Sequence, residues 1–436
     1  MINPDLIESL RKASANSIAK ISGQQYLPLW THMIDSYGVI AHLWDHWLSF
    51  SLKQKLTAMA GSEEDARALC CYCASIHDIG KHTSKFQQMI ISQTEINIEH
   101  PYSSLFIPVK SHDLHHSRMG QEILSYIGLP IFISSIIGGH HGDFLGKPGK
   151  NGESLSENPR AYYGKLDGKE ETDLLWENDW KQINTLLMGL TDFNKSLLSL
   201  KPNIDDLVVI SGLVIMADWI ASNTDYFPLF TDPSQENEWT ENRIIEGCRK
   251  INLPPAWHSQ EGILNAEDFA ARFHFLPNPM QEKVIETANS LKEPGLLIIE
   301  AEMGTGKTEA ALAAANIFAE KFGQGGLYFG LPTQATANGI FPRILDWADQ
   351  ETSEASLSVK LAHSKAGLNS DYQELISSNS VVINKDEGVS NRLVVNEWMS
   401  GRKRALLSDF VIGTIDQLIM MGANSKHAAL RHLGAA

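Results

Sequence analysis

The run from Asp205 to Asn223 limits what this chain can fold into more than any other stretch. Leu207, Val208, Val209, Ile210, Leu213, Val214, Ile215, Met216, Trp219 and Ile220 place apolar side chains on every face of a helix. Such a helix must be wrapped by protein, because Leu207 to Ala221 is interrupted by Asp218 and is too short to span a bilayer. The run therefore predicts the interior of a helical domain. Asp218 is its only internal charge, and no Lys or Arg lies within one turn. Burying a lone carboxylate is costly unless it is paired or holds a metal. Asp218 is thus a candidate ligand, with Ser222 one turn on and facing the same way.

His77-Asp78-Ile79-Gly80-Lys81 closes a second apolar run, Ala66 to Ile76. Neighbouring side chains on a helix diverge by about 100°, so His77 and Asp78 can share a site only where the helix stops. Gly80 is expected to supply that stop. Imidazole beside carboxylate suits Mn, Fe, Ni or Zn as well as Mg. A third apolar run, from Ile133, ends in Gly138-Gly139-His140-His141-Gly142 and repeats the pattern. His112, His115 and His116 precede a helix expected over Ser117 to Tyr126. Leu29 to Phe50 reads as one helix, with His32 near its start and His42 and His46 as an i, i+4 pair; spacing leaves both options open. Taken singly, His32, His42 or His46 reads first as a packed or surface residue. The repetition of histidines at helix ends is what points to a centre. Lys81, Lys85 and Phe86 could meet phosphate and a base, or simply be the solvated start of a helix. Gly146 to Lys169 reads as an exposed loop. The chain thus offers enough ligands for two cations about 3.5–4 Å apart, the spacing that clamps both oxygens in phosphodiester cleavage, with Asp78 as the bridge.

The net charge of −16 argues against bulk binding of nucleic acid by a basic surface and leaves room only for a local basic groove. Met1 to Lys20 has no apolar central region, so no secretory signal and no membrane attachment are expected, and a cytoplasmic location follows. Cys70 and Cys73 form a C-x-x-C without a second pair, and with Cys71 they read as buried core thiols rather than a zinc site.

Near Pro254 to Asn265 the composition changes, and a linker over 251–274 is expected. From Phe275 the pattern becomes α/β. Gly295 to Glu300 reads as a short buried strand, followed by Ala301-Glu-Met-Gly304-Thr305-Gly306-Lys307-Thr308 and an Ala-rich helix. This is a P-loop context: backbone N–H groups hold phosphate, Lys307 reaches the β/γ-phosphates and Thr308 takes Mg²⁺. Gln281 could bond an adenine edge. Gly326 to Gln334 reads as a strand entering a polar loop, and Thr333 and Gln334 stand where such folds touch a nucleic-acid strand. Asp409 to Met420 gives another strand, with Thr414 at its end. The acidic stretch at Asp386-Glu387 follows Asn384 and Lys385 and reads as a loop, not the carboxylate an ATPase needs.

The order of these motifs resembles the CRISPR-associated helicase-nucleases of type I systems, in which an HD nuclease domain precedes a superfamily-two helicase. The resemblance is carried by Thr31-His32-Met-Ile-Asp35, His77-Asp78-Ile-Gly-Lys81, His116 with Gly120, Gly139-His140-His141-Gly142 and Ala217-Asp218-Trp219. Met303-Gly-Thr-Gly-Lys-Thr308, Leu331-Pro-Thr-Gln-Ala-Thr-Ala337 and Gly413-Thr-Ile-Asp-Gln417 carry it on the helicase side. It implies an all-α HD nuclease domain over 1–250 and an incomplete α/β RecA-like P-loop lobe over 275–436. It implies two divalent metals (Mn, Fe, Ni or Mg), ATP with Mg at Gln281 and Gly304 to Thr308, single-stranded DNA as substrate, and recruitment by a crRNA-guided surveillance complex. His32, His77, Asp78 and Asp218 would hold one metal; Asp78, His116, His140 and His141 would hold the other, which prefers His32 to the His42/His46 pair. His115 rivals His116, and the spacing to Gly120 favours His116. Lys81 would stand near the scissile phosphate. The chain stops before the family's Asp-Glu-x-His strand, so nucleotide binding with little hydrolysis is expected. Two rivals remain: an HD phosphohydrolase, which would cleave nucleotides but not DNA, and a non-catalytic truncated remnant, against which a stable metal-loaded domain would argue.

Overall fold

A short antiparallel hairpin, Ile18–Ser22 and Gln25–Pro28, leads into a helical body that runs to Ile251. The computed structural model describes residues 2–94, 96, 99–106, 114–142, 154–165, 170–259, 262–351, 356–382, 393–422 and 427–436. At the centre of this body lies the helix Ile204–Ala221, opened by a reciprocal cap between Asn203 and Asp206. Its Val214, Ile215, Met216 and Ala217 are fully buried, as an all-round apolar helix requires. Helices Leu29–His42, Glu63–Ile76 and Ile131–Gly139 pack around it. Among the described residues, no helix is long and apolar enough to cross a membrane. All four cysteines are buried and unbridged, and burial pushes the thiols of Cys70 and Cys73 upward.

Two helical expectations change. Leu29 to Phe50 is not one helix: the α-helix ends at His42, Leu43–Trp47 forms a wider π-turn, and the N–H of Leu48 bonds back to the carbonyl of Leu43 at 2.8 Å. Ser49 then caps a new helix, Phe50–Ala60. Apolar spacing carries on through Trp44 and Trp47, so periodicity alone hides the break. The stretch from Gly146 to Lys169 is not simply an exposed loop either. Within the described part, Pro159–Tyr163 is a helical turn whose Ala161, Tyr162 and Tyr163 are buried, the two tyrosine rings lying against Trp180. Aromatic burial outweighs the polar composition of its surroundings.

The second half is built on four parallel strands in the order Leu327–Leu331, Phe410–Thr414, Leu357–Ala362 and Leu393–Val394. Helices Pro279–Ser290 and Lys307–Phe322 pack together beside it. Gly295 to Glu300, expected as a buried strand, is neither buried nor paired with any described strand. Leu297 and Ile299 turn onto the two helices, while Leu296 and Ile298 are 87% and 80% exposed. Alternating apolar residues favour extended backbone, but a strand also needs a neighbouring edge that offers its N–H and C=O groups a partner. Asn384 to Glu387 lie outside the described residues.

The core of the helical half takes in part of the second half, among it Trp398, Leu407 and Leu430, while the sheet keeps a cluster of its own. Helix Ala428–Leu433 lies against Ile204–Ala221, and Gly212 makes room for it: a side chain there would fall 2.7 Å from the carbonyl oxygen of Ala429. Between the halves, residues 251–274 carry buried anchors, Trp257 and, in the helix Ala266–Phe273, Phe269.

Candidate metal centre

Five elements bring their ends to one point. His32 comes from the first turn of Leu29–His42, His77 and Asp78 from the end of Glu63–Ile76, and His116 from the start of His116–Tyr126. His140 closes Ile131–Gly139, and Asp218 sits in the last turn of Ile204–Ala221. Gly80 makes this convergence possible, though not by ending the helix with a left-handed residue. The turn occurs at Asp78, in the bridge region at φ −99° and ψ 15°. Gly80 instead lets the neighbouring helix approach, since a Cβ there would overlap the carbonyl oxygen of His116 and the amide of Gly120.

Asp78 is 1% exposed and stands in the middle. Its Oδ2 lies 3.1 Å from His32 Nε2, 3.4 Å from His77 Nε2 and 2.6 Å from Lys81 Nζ. Its Oδ1 lies 3.3 Å from His116 Nε2 and 3.6 Å from His140 Nε2. Asp218 Oδ1 completes the first group at 3.5 Å from His32 and 3.4 Å from His77, and accepts a hydrogen bond from Ser222 Oγ at 2.9 Å. Ligand atoms of His32, His77, Asp78 and Asp218 lie within reach of one cation, and those of Asp78, His116 and His140 within reach of another.

The donor chemistry fits cations at both places. His77 Nδ1 and His140 Nδ1 point at the carbonyl oxygens of Ala74 and Ile137, at 2.7 and 2.6 Å. Donation there leaves each Nε2 as a bare lone pair facing carboxylate oxygen. The Nε2 atoms of His32, His77 and His140 and Asp78 Oδ1 are buried without a hydrogen-bond partner, an arrangement costly without a positive charge between them, while Asp78 Oδ2 has the Lys81 ammonium beside it. The electrostatics agree. Burial lowers the His77 imidazole, but Asp78 and Asp218 outweigh it and hold the ring as a cation up to about 10. Two carboxylates demand positive charge there, and a divalent ion can supply it in the proton's place. Despite burial, Asp78 is held far below the usual carboxylate range by Lys81 and His77, and Asp218 by His32 and His77. Burial pushes His116 down to about 3, leaving it neutral and able to ligate.

The alternatives left open by spacing separate in space. His42 and His46 face each other with centroids 4.6 Å apart, in a surface pocket with Ile244, Ile245 and Cys248, away from Asp78. His112 lies outside the described residues. His141 does not join the Asp78 group; its Nε2 meets His116 Nε2 at 2.9 Å, and with His115 the two make a separate trio. Phe86 stands edge-on to His116 and under Lys81. Lys20 was not marked by the sequence, where it reads as an ordinary strand residue; its Nζ donates to the carbonyl oxygen of Ser222 at 2.8 Å and lies in the field of both Lys81 and Asp218.

In the second half, Gly304 and Gly306 adopt φ of +78°, which turns the loop into the helix Lys307–Phe322. Lys307 Nζ donates to the carbonyl oxygens of Ala301 and Glu302. Gln281 is buried; its amide accepts from Asn278 N and donates to Gly306 O at 3.1 Å, which ties it to the loop backbone. Thr305, Thr308, Phe275 and Arg343 line the same pocket, where Arg343 pairs with Glu309; the sequence did not single out Phe275 or Arg343. Thr333 caps Gln334–Asp349, and Gln334 is half-buried with its amide donating to Ser364 Oγ at 3.0 Å, whereas Thr414, in register with Leu331, is buried.

Residues 16–227 match the protein family described as "Cas3, HD domain". Over 94% of its length the chain is 37% identical to the CRISPR-associated nuclease/helicase Cas3 of Streptococcus thermophilus, covering 46% of that protein. The crystal structure of T. fusca Cas3-AMPPNP matches 96% of the chain at a TM-score of 0.74 and 27% identity, covering 45% of that structure's chain. A chain of a pre-nicking CRISPR RNA-guided surveillance complex shares the fold at a TM-score of 0.59 and 24% identity, over 96% of this chain and 42% of that one. The chain thus spans somewhat under half the length of these relatives.

Proposed function

Because this chain belongs to the Cas3 family of CRISPR-associated nuclease/helicases, we propose that its helical half is a metal-dependent nuclease acting on single-stranded DNA. The observation that carries the reading is Asp78, whose two oxygens each face imidazole lone pairs of a different cation position. His32, His77, Asp78 and Asp218 would hold one divalent ion, and Asp78, His116 and His140 the other, with His141 beside them. Bound there, the ions supply positive charge for a phosphodiester and activate water. The chain's own residues do the rest. Lys81, 2.6 Å from Asp78, places an ammonium where a non-bridging phosphate oxygen would lie. Phe86 offers a ring beside it, and the carbonyls of Ala74 and Ile137, three residues before His77 and His140, fix the imidazole tautomers.

A single strand suits the charge distribution. With −16 overall, the protein can hold a polyanion only locally. Arg402 and Lys403 are exposed on a loop clamped by Lys360 on the Ser400 carbonyl and Arg431 on the Arg402 carbonyl, beside Trp219 and Ser222 of the metal-bearing helix. Lys403 lies 5.8 Å from the Trp219 ring. Basic groups next to an aromatic face suit a strand entering the centre. Thr333, Gln334 and Thr414 line the strand ends of the second half, and Gln281 with Gly304 to Thr308 would take ATP and Mg²⁺. Among the described residues the one carboxylate lining that pocket, Glu309, is already paired to Arg343, so the nucleotide would be bound rather than turned over. A crRNA-guided surveillance complex is the partner this reading requires, in the cytoplasm. The division of the chain would fall within 251–274.

The test is cleavage of circular single-stranded DNA without ATP, in Mn²⁺, Ni²⁺ or Mg²⁺, beside the Asp78→Ala protein. Cleavage by the parent, reduced more than about 100-fold in the variant, is expected, since even groups behind the ligands are worth about 10–100-fold. An intact circle with folded, metal-loaded parent overturns the reading.

A further inference from the structure

Lys20 has a hydrogen-bond acceptor but no counter-ion. It stands half-buried on the strand Ile18–Ser22, and its Nζ donates to the carbonyl oxygen of Ser222 at 2.8 Å. Among the described residues it makes no ion pair with a carboxylate. Lys81, by contrast, lies 2.6 Å from Asp78. Burial, then the charge of Lys81, lowers the pKa of the Lys20 ammonium, and Asp218 opposes them only in part. A half-buried cation in the field of a second cation is unfavourable unless an anion joins them.

The backbone holds the two lysines in fixed relation. Gln87, fully buried in the helix Ser84–Ile91, accepts from Ile18 N at 2.9 Å; it donates to Ile18 O at 3.0 Å and to Lys81 O at 2.7 Å. A second fastening lies one residue away on each side, where Ser17 Oγ meets His82 Nδ1 at 2.7 Å. The strand of Lys20 and the turn of Lys81 are thus clamped together twice. Ser222 gives the arrangement a direction. Its Oγ bonds Asp218 at 2.9 Å, its carbonyl holds Lys20, and it lines the pocket of Trp219, Arg402 and Lys403. Lys20 therefore stands between the metal centre and the exposed basic loop. A lysine on the last carbonyls of a helix can serve as a cap alone, but a cap has no need of Lys81 clamped beside it.

We infer that Lys20 binds the phosphodiester next to the scissile one, on the side of the strand that leads to Trp219 and Arg402, while Lys81 meets the scissile phosphate. The place given to Lys81 rests on the nuclease reading above. Two ammonium groups at a fixed spacing select a chain with at least two consecutive phosphodiesters over an isolated diester. The centre thereby favours a polynucleotide over a mononucleotide substrate.

The test compares the full-length parent with Lys20→Met, which keeps the apolar stem, and Lys20→Arg, which keeps the charge. Two substrates are used in Mn²⁺: an oligothymidylate, and bis(p-nitrophenyl) phosphate, a diester with no neighbouring phosphate. Lys20→Met is expected to raise KM for the oligothymidylate about tenfold more than KM for the small diester, the scale of one charge-assisted contact. Lys20→Arg should restore most of that difference. Fluorescence anisotropy of the same oligothymidylate without metal should show the slope of log K against log salt smaller by about 0.7 in Lys20→Met, the share of one phosphate on a single strand. Equal losses on both substrates with a lower melting temperature make Lys20 a helix cap and overturn the inference. A loss confined to kcat, or a KM difference that arginine does not restore, overturns it too. If the parent hydrolyses neither substrate, the nuclease reading falls, and the binding slope decides Lys20 alone. A slope equal to the parent's, or no binding by the parent, then overturns the inference.

Discussion

At Asp78 a single carboxylate faces four imidazoles and an ammonium inside the core, and every one of those partners comes from a helix end. Asp218 was legible as an anomaly because a lone charge on an all-apolar helix has few explanations, and Ser222 was legible from its four-residue spacing. The partition of the histidines was not legible. Whether His115 or His116 reaches Asp78, and whether His141 sides with His140 or with His115, depends on ring directions that spacing does not contain. A second buried carboxylate behaves in the opposite way. Asp409, at the start of Phe410–Thr414, accepts hydrogen bonds from the amide and hydroxyl of Ser358 at 2.7 Å, yet burial pushes it up to about 7. Its raised folded value means that its contribution is complete below the ordinary value of 3.8 and is lost as pH rises through about 7. Stability should therefore fall by about 1.4 kcal/mol per pH unit across that window from this group alone. Denaturant titrations at pH 5 and pH 8 check it: Asp409→Asn is expected to flatten the difference, and an equal pH slope in parent and variant contradicts it.

Helix ends, rather than helices, carry the chemistry at the scale of elements. The apolar runs before His77, His140 and Asp218 forecast three of the elements, because burial on every face leaves few alternatives. Gly80 shows where that forecast was right for the wrong reason: the glycine is required by the backbone of His116–Tyr126 passing over it, not by its own torsion angles. Gly80→Ala should push that helix off, at about 1–3 kcal/mol, and take His116 with it. A lower melting temperature together with the loss of one bound Mn²⁺ is expected; unchanged metal stoichiometry would mean that the close approach is not needed. The π-turn at Leu43–Trp47 was missed because apolar spacing runs on through Trp44 and Trp47, and the unpaired Gly295 to Glu300 because a strand needs a partner edge whose position the local sequence does not report.

At the scale of the whole molecule, the second half is fastened to the helix that carries Asp218 by Ala428–Leu433 over Gly212, and the same docking sets the Gly401–Arg404 loop beside Trp219. A strand crossing from one half to the other would meet Arg402 and Lys403 first. Replacing both by alanine should weaken binding of an oligothymidylate about tenfold. It should also lower the slope of log K against log salt by about 1.4, the share of two phosphates on a single strand. Fluorescence anisotropy at several salt concentrations reads both; a slope equal to the parent's removes this loop from the strand path.

The sequence by itself determined the architecture and the ligand inventory. All-round apolarity, helix-end histidines and a glycine-rich phosphate loop are local patterns, and burial energetics and backbone geometry act on them locally. Only the tertiary structure decided which ligand atoms lie close enough to share a cation, that His42 and His46 stand apart from Asp78, that residues 251–274 carry buried anchors, and that Arg402 and Lys403 of one half lie beside Trp219 and Ser222 of the other. Those outcomes depend on distances between residues far apart in the chain, and packing alone fixes them.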